Sequence, residues 1–189
     1  VTPEFRVTGM QPELWAPTTG VIRKLPAYEQ KQGATAVPLE MAPYESMFIV
    51  SKDKAGAASS TDVAANFPVP AQIADLKGPW TVDFADKVRG PQEPVVFESL
   101  TDWSTNADDK IKYYSGTATY KTNFKLDKAP TDENILINLN DFVAMARVKV
   151  NGQDAGGVWT APYELDITDF VREGDNGLEI EVVNTWEKR

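Results

Sequence analysis

The sequence of 189 residues contains no histidine and no cysteine. Without histidine, the chain has no imidazole for a Ser-His-Asp or Cys-His mechanism and no imidazole ligand for a metal ion. Without cysteine, it has no disulfide, thiolate nucleophile or zinc–thiolate site. Two carboxylates can still hydrolyse a glycoside, but no spacing among the 28 acidic residues identifies such a pair. We therefore expect the chain alone to be non-catalytic.

The chain also has little positive charge and no long apolar run. Its 19 lysines and arginines compare with 28 aspartates and glutamates, which gives a net charge of −9. Binding to a phosphate backbone needs clustered basic side chains, and here they are scattered singly. A membrane span needs roughly 18 consecutive apolar residues. We therefore expect no nucleic-acid partner and no membrane span.

The first residues do not look like a targeting segment. Val1-Thr2-Pro3-Glu4 lacks an initiator methionine and the basic-then-apolar pattern of a signal peptide. We expect a mature form or a fragment of a longer protein. The lack of cysteine does not fix the compartment, because many exported bacterial proteins also have none.

Short alternating stretches in the first part of the chain indicate strands. Residues 1–51 contain about three of them, separated by loops that Pro12, Pro17 and other turn residues are expected to enforce. So few strands cannot cover both faces of a sandwich, and residues 1–51 therefore predict a partial β-sandwich domain. Residues 52–76 are rich in alanine, serine, aspartate and proline, and they predict a linker.

Residues 77–189 contain a steady succession of short strand candidates. They are residues 80–84, 95–97, 116–124, 134–139, 146–150 and 177–183. Asn151-Gly152 is a tight hairpin signal, and residues 174–177 predict a further turn. No amphipathic helix of twelve or more residues is evident, so parallel strands linked by helices are not expected. The fold class predicted is all-β: a partial β-sandwich followed by a jelly-roll β-sandwich.

One part of the second region carries a family resemblance. Ala146–Gly156 is typical of strand, tight turn and strand, and Gly156 with Gly157 permits close backbone approach. Trp159-Thr160-Ala161-Pro162-Tyr163 follows, and then Asp166-Ile167-Thr168, whose side-chain oxygens are expected to hold a bend. These segments resemble the sugar-binding jelly roll of glycoside hydrolase family 2. The resemblance implies a galactose-binding-like fold.

A second resemblance extends over nearly the whole chain. Ser99-Leu100-Thr101-Asp102-Trp103, Lys112–Tyr120 and Gln11–Gly20 are similar to the C-terminal β-domains of the α-L-rhamnosidases of glycoside hydrolase family 106. This resemblance implies an exported bacterial enzyme that degrades plant-type polysaccharide, in the periplasm or outside the cell. It also implies that the chemistry lies in a catalytic barrel domain of the same parent enzyme, which would be a partner of this chain. No catalytic residue is carried over.

The tryptophans are the main candidates for binding carbohydrate. Five are present, and sugar rings stack on flat aromatic side chains while nearby polar groups bind their hydroxyls. Trp103 and Trp159 lie in loop-like segments beside polar residues, and Tyr163 is close to Trp159 in sequence. Trp103, Trp159 and Tyr163 are therefore the predicted carbohydrate-binding residues, with burial in the core as the alternative.

For the other three tryptophans we expect environments other than a sugar-binding surface. Trp80 alternates with Phe84 in a strand, and Trp186 ends the last strand, so both are expected in the core. Trp15 lies between two prolines, and its side chain is expected to be buried beneath a loop or to contact a missing domain.

Two groups of aspartates offer oxygen ligands for a structural calcium ion. They are Asp102, Asp108 and Asp109 in one group, and Asp166, Asp169 and Asp175 in the other. Neither group has a defined ligand spacing, so turn-forming, solvated aspartates are the preferred interpretation. We assign no metal site and no cofactor, and calcium stays open as an alternative.

Three functions remain open. The first is a non-catalytic region that extends or supports the substrate cleft of an α-L-rhamnosidase-like enzyme. The second is an independent carbohydrate-binding module. The third is a structural or protein-interaction domain without sugar binding, in which the unpaired sheet of residues 1–51 recruits a partner.

Overall fold

The structure is a computed structural model that describes residues 1–43, 45–54, 64–131, 133–140 and 144–184. The chain divides into two compact units, Val1–Ile73 and Ala74–Arg189. Both units consist of strands with very little helix, so the predicted all-β class is confirmed. Among these residues, no helix is long and apolar enough to cross a membrane.

The described part of the first unit has short strands in two antiparallel sheets. The strands are β1 (Glu4–Phe5), β2 (Met10–Trp15), β3 (Ile22–Lys24), β4 (Glu29–Lys31), β5 (Ala34–Ala36) and β6 (Phe48–Lys54). One sheet has the order β1-β5-β4 and the other has the order β3-β2-β6. The buried core consists of Leu14, Leu25, Tyr28, Val37 and Leu39.

Pro12 lies inside β2, so the loop predicted at this position is wrong. The residue is fully buried, and the pairing of β2 with β6 is irregular between Met10 and Pro12. Proline has no N–H to donate, and such a bulge tolerates it within a sheet. Its carbonyl still accepts a hydrogen bond of 2.9 Å from the Leu25 N–H.

Asn66 ties the end of the first unit to its core. The residue is buried, its side-chain oxygen accepts a hydrogen bond of 2.8 Å from the Ala27 N–H, and its amide donates to the carbonyls of Ala27 and Pro38. Asn66 belongs to the segment 52–76 for which the composition predicts a linker. The predicted domain limits themselves stay a prediction.

The second unit contains a six-stranded antiparallel sheet of order β12-β11-β14-β9-β7-β8 and a two-stranded sheet of order β10-β13. The strands are β7 (Trp80–Phe84), β8 (Val95–Phe97), β9 (Thr117–Leu126), β10 (Leu136–Asn138), β11 (Met145–Val150), β12 (Gln153–Val158), β13 (Glu164–Asp166) and β14 (Gly174–Val183). A helical turn α1 (Asp109–Lys112) and two 3-10 turns, Trp103–Thr105 and Thr168–Phe170, connect them.

Alternation along the strands gives the six-stranded sheet a buried face and an exposed face. The buried face packs on the pair β10-β13, and its side chains include Val82, Phe84, Ala118, Tyr120, Val148, Val150, Leu178 and Ile180. The intervening residues of β11 and β14, such as Arg147 and Glu181, lie on the other face, which we call the outer face. The candidate functional site lies on this outer face.

Two local predictions in this unit are confirmed. Asn151 and Gly152 have φ angles of 52° and 78°, the left-handed backbone that a tight hairpin between β11 and β12 requires. The bend at residues 166–168 is held as expected, because a carboxylate oxygen of Asp166 accepts hydrogen bonds from the N–H and the hydroxyl of Thr168.

The turn predicted at residues 174–177 is wrong, because these residues are the first part of β14 and pair with β9. The chain turns just before them, where the buried side chain of Asn176 makes four hydrogen bonds. Its oxygen accepts from the Arg172 N–H and the Asn151 amide, and its amide donates to the carbonyls of Arg172 and Gly174. Gly174, at the start of β14, also has a positive φ of 85°, a backbone conformation that favours glycine.

Candidate functional site on the outer face

A depression with a volume of about 410 Å³ lies on the outer face, where β12, β11 and β14 run side by side. It is lined by Met145, Ala146, Arg147, Asp154, Gly156, Gly157, Val158, Trp159, Glu181 and Val183. Ligand sites in proteins commonly have volumes of about 300–1,000 Å³. The depression is therefore large enough for a single sugar ring.

Two glycines, Gly156 and Gly157, line the depression. Gly157 stands opposite Arg147 in the β11-β12 pair, and a Cβ atom there would approach the Ala146 carbonyl to 3.2 Å. Gly156 has a φ of +123°, a backbone conformation that favours glycine. The pairing of β11 with β12 shifts register between Val148 and Lys149. A side chain at position 157 would crowd the Ala146 carbonyl, and one at position 156 would strain the backbone and meet Leu165, which packs against the core.

One side of the depression is apolar and exposed. Trp159 follows directly after β12 and is 57% exposed, and Met145 at the start of β11 is 52% exposed. Met145 stands opposite Val183 of β14. A large indole beside two aliphatic side chains gives a surface for the C–H face of a ligand.

The other side is charged. Arg147 donates hydrogen bonds from Nε to both carboxylate oxygens of Asp154, at 3.2 and 3.1 Å, and from a terminal nitrogen to the same carboxylate. Glu181 stands opposite Arg147 on β14. The hydrogen bonds from Arg147 lower the pKa of the Asp154 carboxyl and raise the pKa of the guanidinium. Asp154 is thus ionised at neutral pH and serves as a hydrogen-bond acceptor, whereas a general acid needs a raised pKa.

Residues 100–189 match the family model of the glycosyl hydrolase 2 galactose-binding domain-like family. The second unit therefore contains a galactose-binding-like domain. A solved structure similar to this chain is a rhamnosidase from Novosphingobium sp. PP1Y, with 37% identity, a TM-score of 0.84 and coverage of 97% of this chain. Both resemblances seen in the sequence, to the family 2 jelly roll and to a rhamnosidase, are confirmed.

Two further relatives are named for another sugar. A curated protein of Formosa agariphila, provisionally named a β-glucuronidase, is 34% identical over 73% of this chain. A β-D-glucuronidase of Dictyoglomus thermophilum is 23% identical over 63% of the chain, with a TM-score of 0.51, and shares the fold. The chain spans 12% of the Formosa protein and 17% of the Novosphingobium rhamnosidase.

Of the predicted sugar-binding residues, Trp159 lies in the depression of the galactose-binding-like domain. Tyr163 is partly buried, and its carbonyl accepts a hydrogen bond of 2.9 Å from the Leu139 N–H. It does not line the depression. The structure therefore separates Tyr163 from the surface that Trp159 forms.

Trp103 packs on the buried face of the six-stranded sheet. Its ring is stacked on Tyr120 with centroids 6.5 Å apart, and it contacts Phe84 at 5.3 Å and Tyr114 at 5.8 Å. Its indole N–H donates to the Tyr120 hydroxyl, and burial raises the pKa of that phenol. Trp103 and Trp159 thus lie on opposite faces of the sheet and do not form one site.

The remaining tryptophans have separate environments. Trp80 is buried in the core, as the alternation predicts. Trp15 is partly exposed at the end of β2, and its indole N–H donates to Glu13 at 3.1 Å. The prediction for Trp186 falls on residues 185–189, outside the described residues.

Three of the six aspartates considered for calcium hold turns or helix ends. Asp102 caps the first 3-10 turn and Asp108 caps α1, each by accepting a hydrogen bond from a backbone N–H two residues later. Asp166 holds the bend at Thr168. Across the described ranges, no three acidic side chains are close enough together to hold a metal ion.

The charged residues of the depression were missed in the sequence. Alternation in residues 146–150 and 177–183 places Arg147 and Glu181 on the same face, and this signal was available. Asp154 was harder to find, because the register shift in the β11-β12 pair changes which residues stand opposite each other. Sequence alternation alone does not reveal such a shift.

Proposed function

We propose that this chain is a non-catalytic region that binds carbohydrate for a rhamnosidase-like glycoside hydrolase. The parent protein would be exported to the periplasm or the outside of a bacterium and would act on plant-type polysaccharide. The observation that carries the proposal is the depression with Trp159 at its edge, within a galactose-binding-like domain. The similarity to the Novosphingobium rhamnosidase supports the choice of enzyme class.

The chemistry of the depression suits a pyranose ring. The C–H face of the ring can stack on the Trp159 indole, with Met145 and Val183 beside it. Asp154 and Glu181 can accept hydrogen bonds from hydroxyls, and Arg147 can donate to them. The Arg147–Asp154 pair already fixes the rotamers of both side chains, so less conformational entropy is lost on binding.

The charged residues of the depression support a binding role without catalysis. Glycoside hydrolysis commonly needs one carboxylic acid with a raised pKa and a second carboxylate. Arg147 lowers the pKa of Asp154, which is opposite to the requirement for a general acid. The chain also has no histidine to replace it.

Trp159→Ala is expected to weaken sugar binding by at least about tenfold, or about 1.4 kcal/mol. The substitution removes the stacking surface but no buried contact of the core. Isothermal titration with plant-derived oligosaccharides, including rhamnose-containing ones, measures the effect. Tyr113→Ala is the matched control, because Tyr113 is 69% exposed and does not line the depression.

Two outcomes would contradict the proposal. Equal affinity of Trp159→Ala and the unchanged chain would remove the depression as the binding site. Release of the aryl alcohol from an aryl α-L-rhamnoside by the purified chain would contradict the non-catalytic role. Cell fractionation of the source bacterium tests the export.

A second role is supported by one face of the first unit. Trp15 of β2 stands opposite Ile22 of β3 and Phe48 of β6, so the three side chains form one apolar row across the sheet. Ile22 is 56% exposed and Phe48 is 63% exposed. We propose that this row packs against the catalytic domain of the same parent enzyme. In the 37% identical rhamnosidase, the part similar to this chain makes up 17% of the length, so the rest of that protein offers further domains for such a contact.

Phe48→Asp is expected to weaken association of the chain with the separately expressed catalytic domain by at least about tenfold, because it places a charge in the apolar row. Analytical ultracentrifugation of the mixture measures it. Val96→Asp, at a residue of the second unit that is 58% exposed, is the control and should not weaken association. Equal association of both variants would exclude this surface.

A further inference from the structure

We infer that the depression binds an uncharged sugar ring and discriminates against uronic acids. The inference rests on the proposed carbohydrate binding and specifies its substrate class. The glucuronidase relatives are named for a negatively charged sugar, whereas we infer that this depression prefers an uncharged one.

The charges that line the depression leave no cation for a uronate. Arg147 contributes the positive charge, and Asp154 and Glu181 contribute two negative charges. Recognition of a carboxylate by arginine uses its planar fork of N–H donors. In this chain, Asp154 already occupies the Nε side and one terminal nitrogen of Arg147. A uronate would have to displace Asp154 and would then lie beside two carboxylates.

The neighbouring basic residues of the outer face are also balanced by carboxylates. Lys149 stands opposite Asp154 on one side and Glu179 on the other. Lys121 stands opposite Glu179, and its ammonium lies 3.1 Å from that carboxylate. Because exposed charges are screened beyond about 8 Å at physiological ionic strength, more distant lysines contribute little. These lysines therefore add little net positive charge, and the lining itself carries two carboxylates for one guanidinium.

An uncharged ring fits both sides of the depression. Its hydroxyls can donate to the Asp154 carboxylate, whose lowered pKa keeps it ionised at neutral pH, and to Glu181. Its C–H surfaces, and a methyl group where a deoxysugar has one, meet Trp159, Met145 and Val183. Replacing a hydroxymethyl or methyl group by a carboxylate adds repulsion and no compensating donor.

The experiment uses two pairs of methyl glycosides, together with the Glu181→Lys variant. The pairs are methyl galactoside with methyl galacturonide and methyl glucoside with methyl glucuronide, whose members differ only at C6, and methyl α-L-rhamnoside is a further uncharged probe. In each pair of glycosides that binds, we expect the chain to bind the uncharged glycoside at least about tenfold more tightly than the corresponding uronate. Glu181→Lys should shift the affinity ratio toward the uronate by at least about tenfold, because it reverses a lining charge, and added salt should reduce this shift.

Glu98→Lys is the matched control, because it makes the same charge change at an exposed residue next to β8, at the opposite edge of the six-stranded sheet from β12, and does not line the depression. It should leave the affinity ratio unchanged. If Glu181→Lys does not fold, as judged by circular dichroism, Glu181→Gln replaces it and should shift the ratio by about threefold.

The possible results separate the inference from the proposed function. Uronates that bind as tightly as their neutral partners to the unchanged chain would overturn the inference and leave carbohydrate binding intact. Equal shifts of the ratio in the Glu181 and Glu98 variants would also overturn it. Absence of binding by every probe and by longer oligosaccharides would overturn the proposed function itself.

Discussion

Trp103→Ala is expected to lower the free energy of unfolding by about 2–4 kcal/mol, since it removes a large side chain from the aromatic core. Trp103 stacks on Tyr120 and contacts Phe84 and Tyr114. Its removal would also leave the Tyr120 hydroxyl without the indole N–H that donates to it. Urea unfolding followed by circular dichroism measures the change in midpoint.

The same variant tests the prediction that Trp103 binds sugar. Under conditions in which it remains folded, it should bind oligosaccharide as tightly as the unchanged chain, because Trp159 lies on the other face of the sheet. Leu100→Ala, at a residue that is 58% exposed, is the stability control and should change the free energy of unfolding by less than about 0.5 kcal/mol. Normal stability with loss of sugar binding would support the prediction that Trp103 binds sugar.

Asn176→Ala is expected to lower the free energy of unfolding by about 2–4 kcal/mol. Asn176 is 1% exposed, and its side chain uses its two donors and accepts two bonds at its oxygen. Truncation leaves the donors and acceptors of Asn151, Arg172 and Gly174 without this partner at the start of β14. Thermal and urea unfolding both measure the effect.

Asn123→Ala is the control for this substitution. Asn123 is exposed on β9 and stands opposite Gly177, next to the buried network. Its replacement should change stability by less than about 0.5 kcal/mol. If both variants were equally stable, the hydrogen bonds of Asn176 would not hold the start of β14.

Much of the second unit could be predicted from local patterns. The predicted strand 80–84 coincides with β7, and the predicted strand 95–97 coincides with β8. Asn151-Gly152 also identified its hairpin, because few residues other than glycine and asparagine adopt the required left-handed backbone. Such features depend on residues adjacent in sequence, and local physical preferences are sufficient to reveal them.

The errors arose where distant residues decide the local structure. Pro12 appeared to be a loop residue, but a bulge against β6 accommodates it within a strand. Residues 174–177 appeared to be a turn, but Asn176 forms the turn before them through bonds to Asn151 and Arg172. In both cases, a partner elsewhere in the chain compensates for a local preference.

The sequence by itself determined the all-β class, the lack of imidazole and thiol chemistry, and the resemblance to carbohydrate-active enzymes. Only the tertiary structure separated Trp103 from Trp159. Both residues lie in loop-like segments of the sequence, and the packing of the sheet decides on which face each side chain lies. Only the structure brought Arg147, Asp154 and Glu181 together, since strand pairing and a register shift bring these residues to one place. The sequence gives the type of each residue. The sheet face on which a side chain lies, and the residues next to it, depend on strand pairing and register.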